Sequence, residues 1–305
     1  MAVISNAVKR LKIGLRALQM SSRACRFVEA AIAEDRIMQS LNRQIQYIPT
    51  PTKRVERADV DYVWQFWGQG IENAPPIVKV CVKSVSHNLA HKRHVVLSRD
   101  TVCNYVDLPA YVWDKYEKKI IPEAHFSDIV RLMLLRKYGG TWIDATVLLT
   151  KRPPDAFFTA PFFWFSCPPE SLLGGSRILG SVWYLHAAKG QELVRASLDA
   201  LLEYWKNYDY LAHYYILHLI FSNLIENYKV LWKEWESIPF YSSVPPHVLQ
   251  LELSKPFNQS RFEDILEMSA VHKLTYYGIN GDRESGMMTF YDYLTTRFGE
   301  GEDVI

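Results

Sequence analysis

The sequence predicts an α/β protein: a sheet flanked by helices, with further helices added at the N- and C-terminal ends. Three observations carry this. Short β-rich runs alternate with helical periods from about residue 60 to residue 150. Pro and Gly pairs punctuate those runs at the places where one element must give way to the next. The composition, 49% apolar and 22% charged over 305 residues, is that of an ordinary folded chain with one large or two small domains.

In order along the chain, the first 26 residues carry six basic side chains (Lys9, Arg10, Lys12, Arg16, Arg23, Arg26) and no acid. Ile4, Val8, Leu11, Leu15 and Leu18 recur at three- and four-residue spacing, one face of a helix. Such a helix either lies on an anionic membrane surface or packs on the chain's own globular domain or on a partner. Residues 1–58 hold 11 Lys/Arg and 4 Asp/Glu, a net +7, and form a basic helical extension. A linker marked by Pro49 and Pro51 separates them from one unit over residues 59–305. Residues 61–67 are β-rich and end at Gly68 and Gly70; 75–88 are helical after Pro75-Pro76; 94–97 form a strand. A helix over 122–138 stops at Gly139-Gly140, and 141–149 are β-rich again. Alternation of this kind implies a largely parallel sheet. Residues 191–208 and 211–228 read as two long helices, an aromatic insertion over about 190–230.

Several function classes drop out. With 35 Lys/Arg against 33 Asp/Glu the chain is too balanced to bind nucleic acid by covering phosphates. Cys25, Cys81, Cys103 and Cys167 are far apart, which argues against a zinc site and for reduced thiols. No apolar run approaches the ~18–20 residues of a membrane span; the densest, 156–167, is too short. Charges interrupt the N-terminus where a signal peptide would be apolar. The expected location is therefore the cytoplasm; of the two readings of residues 1–26, the membrane-surface one adds peripheral attachment to the inner face of the membrane. The 9 Trp, 18 Tyr and 14 Phe are 13% of the chain, and flat aromatic faces suit sugars.

The chemistry concentrates in residues 125–149. Asp128 and Arg131, three apart on a helix, project from one face. Asp144 follows a strand after the Gly139-Gly140 turn, so it points into the crevice where open α/β sheets bind ligands. The order Ser127-Asp128-x-x-Arg131, then Tyr138-Gly139-Gly140-x-Trp142-x-Asp144, resembles the DXD-type sugar-binding region of GT-A fold glycosyltransferases. The wording Ala124-His125-Phe126-Ser127-Asp128 and Gly140-Thr141-Trp142-Ile143-Asp144-Ala145-Thr146 is similar to the bacterial capsular polysaccharide synthesis protein family. Val63-Trp64-Gln65-Phe66-Trp67-Gly68, Asp107-Leu108-Pro109, Ala187-Ala188-Lys189-Gly190 and His272-Lys273-Leu274-Thr275-Tyr276 agree, so the resemblance covers about residues 60–280.

That resemblance implies a GT-A-like, Rossmann-type mixed sheet and a nucleotide-sugar-dependent, hexosyltransferase-like enzyme. It would build capsular or other cell-surface polysaccharide with retention of configuration. The implied donor is a UDP-sugar, and the acceptor an oligosaccharide or lipid-linked polysaccharide, with the helical insertion over about 190–230 (Tyr204, Trp205, Tyr208, Tyr210, Tyr214, Tyr215) on the acceptor side. Asp128, Arg131 and Asp144 are matched to the catalytic centre, Asp128 and Arg131 holding the donor's hydroxyls. Trp64, Gln65, Phe66 and Trp67 are matched to donor binding, with Trp64, Phe66 or Trp67 stacking on the base. Thr146, His272 and Lys273 complete the donor site. Thr146 stands where the second DXD carboxylate usually binds Mg²⁺ or Mn²⁺, and a hydroxyl is a poor substitute on a hard cation. Either Asp144 and a later residue such as His272 hold a metal, or protein cations neutralise the diphosphate and no metal is needed. Two alternatives stay open: a GT-A-fold carbohydrate-binding scaffold weakened by Thr146, and a transferase using another activated sugar-phosphate donor.

Overall fold

The computed structural model describes residues 22–45, 62–167, 177–278 and 286–297. The apolar stripe from Ile4 to Leu18 and the linker prolines lie outside the described residues. Helix α1 (Ser22–Ile45) follows the stripe. Its Met38 and Leu41 enter the same apolar cluster as Trp64, Phe126 and Ile220. Polar bonds fix the docking: Asn223 Nδ2 donates to Asn42 Oδ1 at 2.8 Å, and the Arg177 amide to Glu34 Oε2 at 2.9 Å.

The alternation that follows is β1 (Tyr62–Phe66), α2 (Pro76–Asn88), β2 (Arg93–Leu97), α3 (Ala110–Glu117), α4 (Glu123–Tyr138) and β3 (Gly140–Ile143). Strand β1 lies between β2 and β3 and is parallel to both, so three strands meet the parallel expectation. After β4 (Val147–Leu149) and the short α5 (Ala156–Thr159) come β5 (Phe162–Ser166) and β6 (Gly180–Ala187). Strand β6 is antiparallel to β3 and to β5, which gives a mixed sheet in the order β2-β1-β3-β6-β5. The densest apolar run, 156–167, is spent here: all five residues of β5 are buried in the sheet. Among the described residues no helix is long and apolar enough to cross a membrane.

One predicted element divides. The β-rich run over 141–149 is two strands in two sheets, because the chain turns at Asp144 (Val147 N–H to Asp144 O, 2.9 Å). Strand β4 pairs antiparallel with a strand from far down the chain. Before it come α6 (Glu192–Asn207), α7 (Ile216–Asn227), α8 (Lys229–Glu236), α9 (Val244–His247) and α10 (Gln259–Met268). Then come that partner, β7 (Val271–Lys273), and α11 (Phe290–Arg297). Helix α7 starts five residues later than its periodicity predicts. The Tyr204 hydroxyl donates to Tyr210 O at 2.6 Å and accepts from Ala212 N–H at 2.9 Å, which holds the intervening segment as a loop.

Gly139 and Gly140 do more than end α4. Both have left-handed backbones, φ 73° and 102°, which side chains rarely tolerate. A Cβ at Gly140 would lie 2.4 Å from Tyr62 O, and one at Gly139 2.6 Å from Lys189 N. The absence of side chains lets β3 pair closely with β1 directly after α4, and so fixes α4 relative to the carboxyl end of β3.

Candidate active site

Asp144 is the first residue beyond β3, at the carboxyl edge of the three parallel strands. Its carboxylate is a junction. Oδ1 accepts from Trp142 Nε1 at 2.8 Å and Arg131 Nη2 at 3.0 Å; Oδ2 accepts from Lys273 Nζ at 3.0 Å. Arg131 Nη1 also donates to Asp128 Oδ1, and the guanidinium lies over the Trp142 ring, 4.8 Å from its centroid. Lys273 Nζ donates to Thr146 Oγ1 as well. A continuous chain of charge therefore runs Asp128, Arg131, Asp144, Lys273, Thr146.

Local spacing places Asp128, Arg131 and Asp144, and long-range strand pairing places Lys273. Three-residue spacing on α4 puts Asp128 and Arg131 together, and apolar neighbours such as Ile129, Leu132 and Leu135 bury the helix around them. Two-residue spacing on a strand puts Trp142 and Asp144 on one side. Lys273 is opposite Val147 in the β4–β7 ladder, and the Leu274 N–H bond to Thr146 O (2.8 Å) continues the pairing past it.

The electrostatics divide the two carboxyls. Burial pushes Asp128 up to about 6, against the pull of Arg131. Burial acts on Asp144 in the same direction, but Lys273, Arg131 and the Trp142 hydrogen bond outweigh it and hold this carboxyl below the usual range. His125, one helical turn before Asp128, is buried, with Nδ1 3.7 Å from Asp128 Oδ2. Burial and then Arg131 lower it to about 4, so its ring is neutral at pH 7. Neither of its ring nitrogens has a hydrogen-bond partner among the described residues.

The structure brings Asp128, Arg131, Asp144, Thr146 and Lys273 together, sets Gln65 against the Asp144 backbone and places the other expected residues away from the charged groups. Trp64 is fully buried, stacked on Tyr62 at 4.4 Å and bonded through Nε1 to Gly139 O at 2.9 Å, so it is a core residue and presents no face to a base. Phe66, on the same side of β1, is buried against Phe126 and presents none either. Gln65 is also fully buried and contacts no open surface. Its Nε2 donates to Asp144 O at 3.3 Å and its Oε1 is 2.8 Å from His94 Nε2, so it braces the Asp144 backbone. Trp67 is half-buried and meets Tyr276 edge-on at 5.1 Å, which leaves it as the one aromatic of the three with an accessible ring. His272 corrects another expectation. Strand alternation turns it away from Lys273; it is fully buried with Nε2 3.2 Å from Thr150 Oγ1, on the side opposite Asp144.

Sequence reasoning missed Trp142 and His125 as neighbours of the centre, although both carry readable signals, spacing two on a strand and spacing three on a helix. Tyr214, one of the aromatics of the insertion, is exposed in the loop before α7, and tertiary packing brings its ring 5.9 Å from His125.

The donor set does not fit a divalent cation. Both Asp144 oxygens are already engaged, one of them by an ammonium, and position 146 offers a hydroxyl where a carboxylate is wanted. Among the described residues no three His, Cys, Asp or Glu side chains cluster for a metal.

Fold and site together define a mixed α/β protein with a buried carboxylate–guanidinium centre at the carboxyl edge of its parallel strands. Residues 16–294 match the capsular polysaccharide synthesis protein family, and the chain belongs to it. The match begins well before residue 60 and so takes in α1, which the motifs alone left out. The chain is 23% identical over 199 residues to the O-glycosyltransferase PaGT of Phomopsis amygdali, covering 57% of this chain and 43% of that protein. It is 31% identical over 106 residues to the glycosyltransferase afumC of Aspergillus fumigatus, covering 32% and 27%. The matches thus span less than half the length of these curated relatives. A solved structure, the PaToxG glycosyltransferase, aligns over 89% of this chain and 96% of its own at 15% identity and a TM-score of 0.37.

Proposed function

We propose that the chain is a glycosyltransferase that moves a sugar from a nucleotide-sugar donor, a UDP-sugar foremost, to a growing capsular or other cell-surface polysaccharide, with retention. The observation that carries this reading is the Asp128–Arg131–Asp144–Lys273 chain at the carboxyl edge of the sheet. A carboxylate accepts two sugar hydroxyls, and a guanidinium offers a fixed fork of donors. Membership of a polysaccharide-synthesis family and two fungal relatives named as glycosyltransferases support sugar transfer. The order of the motifs along the chain supports kinship with the GT-A fold.

In this reading Asp128 and Arg131 orient the donor ring, and Trp67 with Tyr276 forms the platform for the base. The bond from C1 to the diphosphate oxygen breaks as the acceptor hydroxyl adds to C1 on the same face. The hydroxyl's proton leaves with the diphosphate. Catalysis is positioning plus stabilisation of the departing charge. Tyr214, exposed beside His125, belongs to the acceptor side. The lipid-linked acceptor places the protein at the inner face of the cytoplasmic membrane, with the basic N-terminal segment as its contact.

A panel of nucleotide sugars, monitored for slow donor hydrolysis and for transfer to water-soluble oligosaccharides, tests this. Turnover of one donor is the expected result. Tight sugar binding without turnover of any donor points to the scaffold, and turnover only of a sugar phosphate lacking a nucleotide points to the third class.

A further inference from the structure

We propose that Lys273 is a built-in cation that takes the place of the divalent metal at the DXD position, so that the donor's diphosphate is bound without Mg²⁺ or Mn²⁺. This deepens the nucleotide-sugar reading and rests on it. The carrying observation is where the ammonium sits: it bridges Asp144 Oδ2 and Thr146 Oγ1, the side chains of the first and third positions of the motif. A metal at a DXD motif would need those same two side chains. Here the third position cannot charge-balance a dication, and an ammonium already holds the outer oxygen of the first.

The position of Lys273 is imposed by the backbone. β7 is hydrogen-bonded to β4, with Lys273 in register with Val147 and Leu274 N–H bonded to Thr146 O. The same alternation that turns His272 into the core turns Lys273 toward Asp144. Solvent reaches the centre at this end: the side chains of Asp144 and Lys273 are 25% and 20% exposed, against 4% for Arg131. A ligand entering from solvent therefore meets Lys273 before it meets the guanidinium. An ammonium has three donors; among the described residues two are engaged, and the remaining one is available to a phosphate oxygen. A strand-borne Lys is a compact point charge, suited to a diphosphate whose charge is spread over many oxygens.

Calorimetry on the full-length protein tests this. The titrants are MnCl₂ alone, and UDP, GDP, ADP and CDP, each in EDTA and in Mn²⁺. The expected results are no binding of Mn²⁺ alone and one nucleoside diphosphate whose Kd agrees within twofold in EDTA and Mn²⁺. Lys273→Met, checked for folding by circular dichroism, should weaken that nucleotide at least tenfold. Should Lys273→Met not fold, Lys273→Gln, which still donates to Thr146, carries the same comparison. Nucleotide binding that requires Mn²⁺, or unchanged affinity in a folded Lys273 variant, overturns the inference and leaves the nucleotide-sugar reading standing. Absence of binding by all four nucleotides in both conditions overturns that reading and the inference with it.

Discussion

Replacing Arg131 by Lys keeps the charge and removes the fork. Arg131 addresses two carboxylates through different nitrogens, Nη1 to Asp128 and Nη2 to Asp144 at 3.0 Å, while its plane covers Trp142 at 4.8 Å. One ammonium on a shorter, unstacked head keeps one of those carboxylates. Losing one charge-assisted bond costs about 1.5–3 kcal/mol, and losing a desolvated cation–π contact costs about 1–2 kcal/mol more. Together that is about 2.5–5 kcal/mol. At roughly 2 °C per kcal/mol for a chain of this size, Arg131→Lys should lower the melting temperature by about 5–10 °C at pH 8, measured by scanning calorimetry. Pairing it with Asp128→Asn in a double-mutant cycle should show a coupling of about 1 kcal/mol or more, because the two residues share a bond. A melting temperature within 1 °C of wild type, with unchanged donor hydrolysis, would refute the argument that the planar fork holds the centre.

Other outcomes follow from the same geometry. Asp144→Asn should cut donor turnover on the order of 10²-fold, the scale of losing one preorganised electrostatic group; activity within twofold of wild type would remove Asp144 from the centre. The raised Asp128 carboxyl, about 6 against its ordinary 3.8, binds its proton more tightly in the folded chain than in the unfolded one. Its contribution to stability therefore falls as pH rises from about 4 to about 6. The melting temperature of Asp128→Asn should accordingly gain on wild type across that interval, and a constant difference would contradict the assignment. Deleting residues 1–46 removes Met38 and Leu41 from the core and should lower the melting temperature and promote aggregation. Deleting residues 1–21 leaves that docking in place and should abolish only salt-sensitive sedimentation with anionic vesicles, whose absence in the full chain would discard the membrane contact.

Much of this molecule is legible in its sequence because local rules govern it. The end of α4 at Gly139, the pairing of Asp128 with Arg131 and the exit of Asp144 from a strand all follow from spacing and backbone geometry. The failures come where tertiary context decides. Strand alternation places Trp64 and Phe66 on one side of β1, yet says nothing of which side faces the core. Buried helices on both faces also leave β1 without the polar alternation that would have shown it. In the run 141–149 apolar residues resume on both sides of Asp144, so one charged residue does not by itself mark the turn that divides the run between two sheets. His272 and Lys273 are equally plausible beside a phosphate until the β4–β7 register chooses between them.

The bond from Lys273 to Asp144 spans 129 positions of the chain, while Asp128, Arg131 and Asp144 sit within one helix–turn–strand unit. Closing a loop that long costs roughly 4 kcal/mol of chain entropy, which no single surface ion pair repays. The contact therefore exists only when β7 has found β4, and β7 is delivered after α6 to α10 have been made. As synthesis proceeds at about 5–20 residues per second, a nascent chain carries Asp128, Arg131 and Asp144 for several seconds before the ammonium arrives. Until then the three form an unfinished centre whose Asp144 lacks its outer partner. Completion of the charge chain thus comes late in folding: a half-made chain holds the local pieces, and the last cation is supplied by a part of the protein that emerges late.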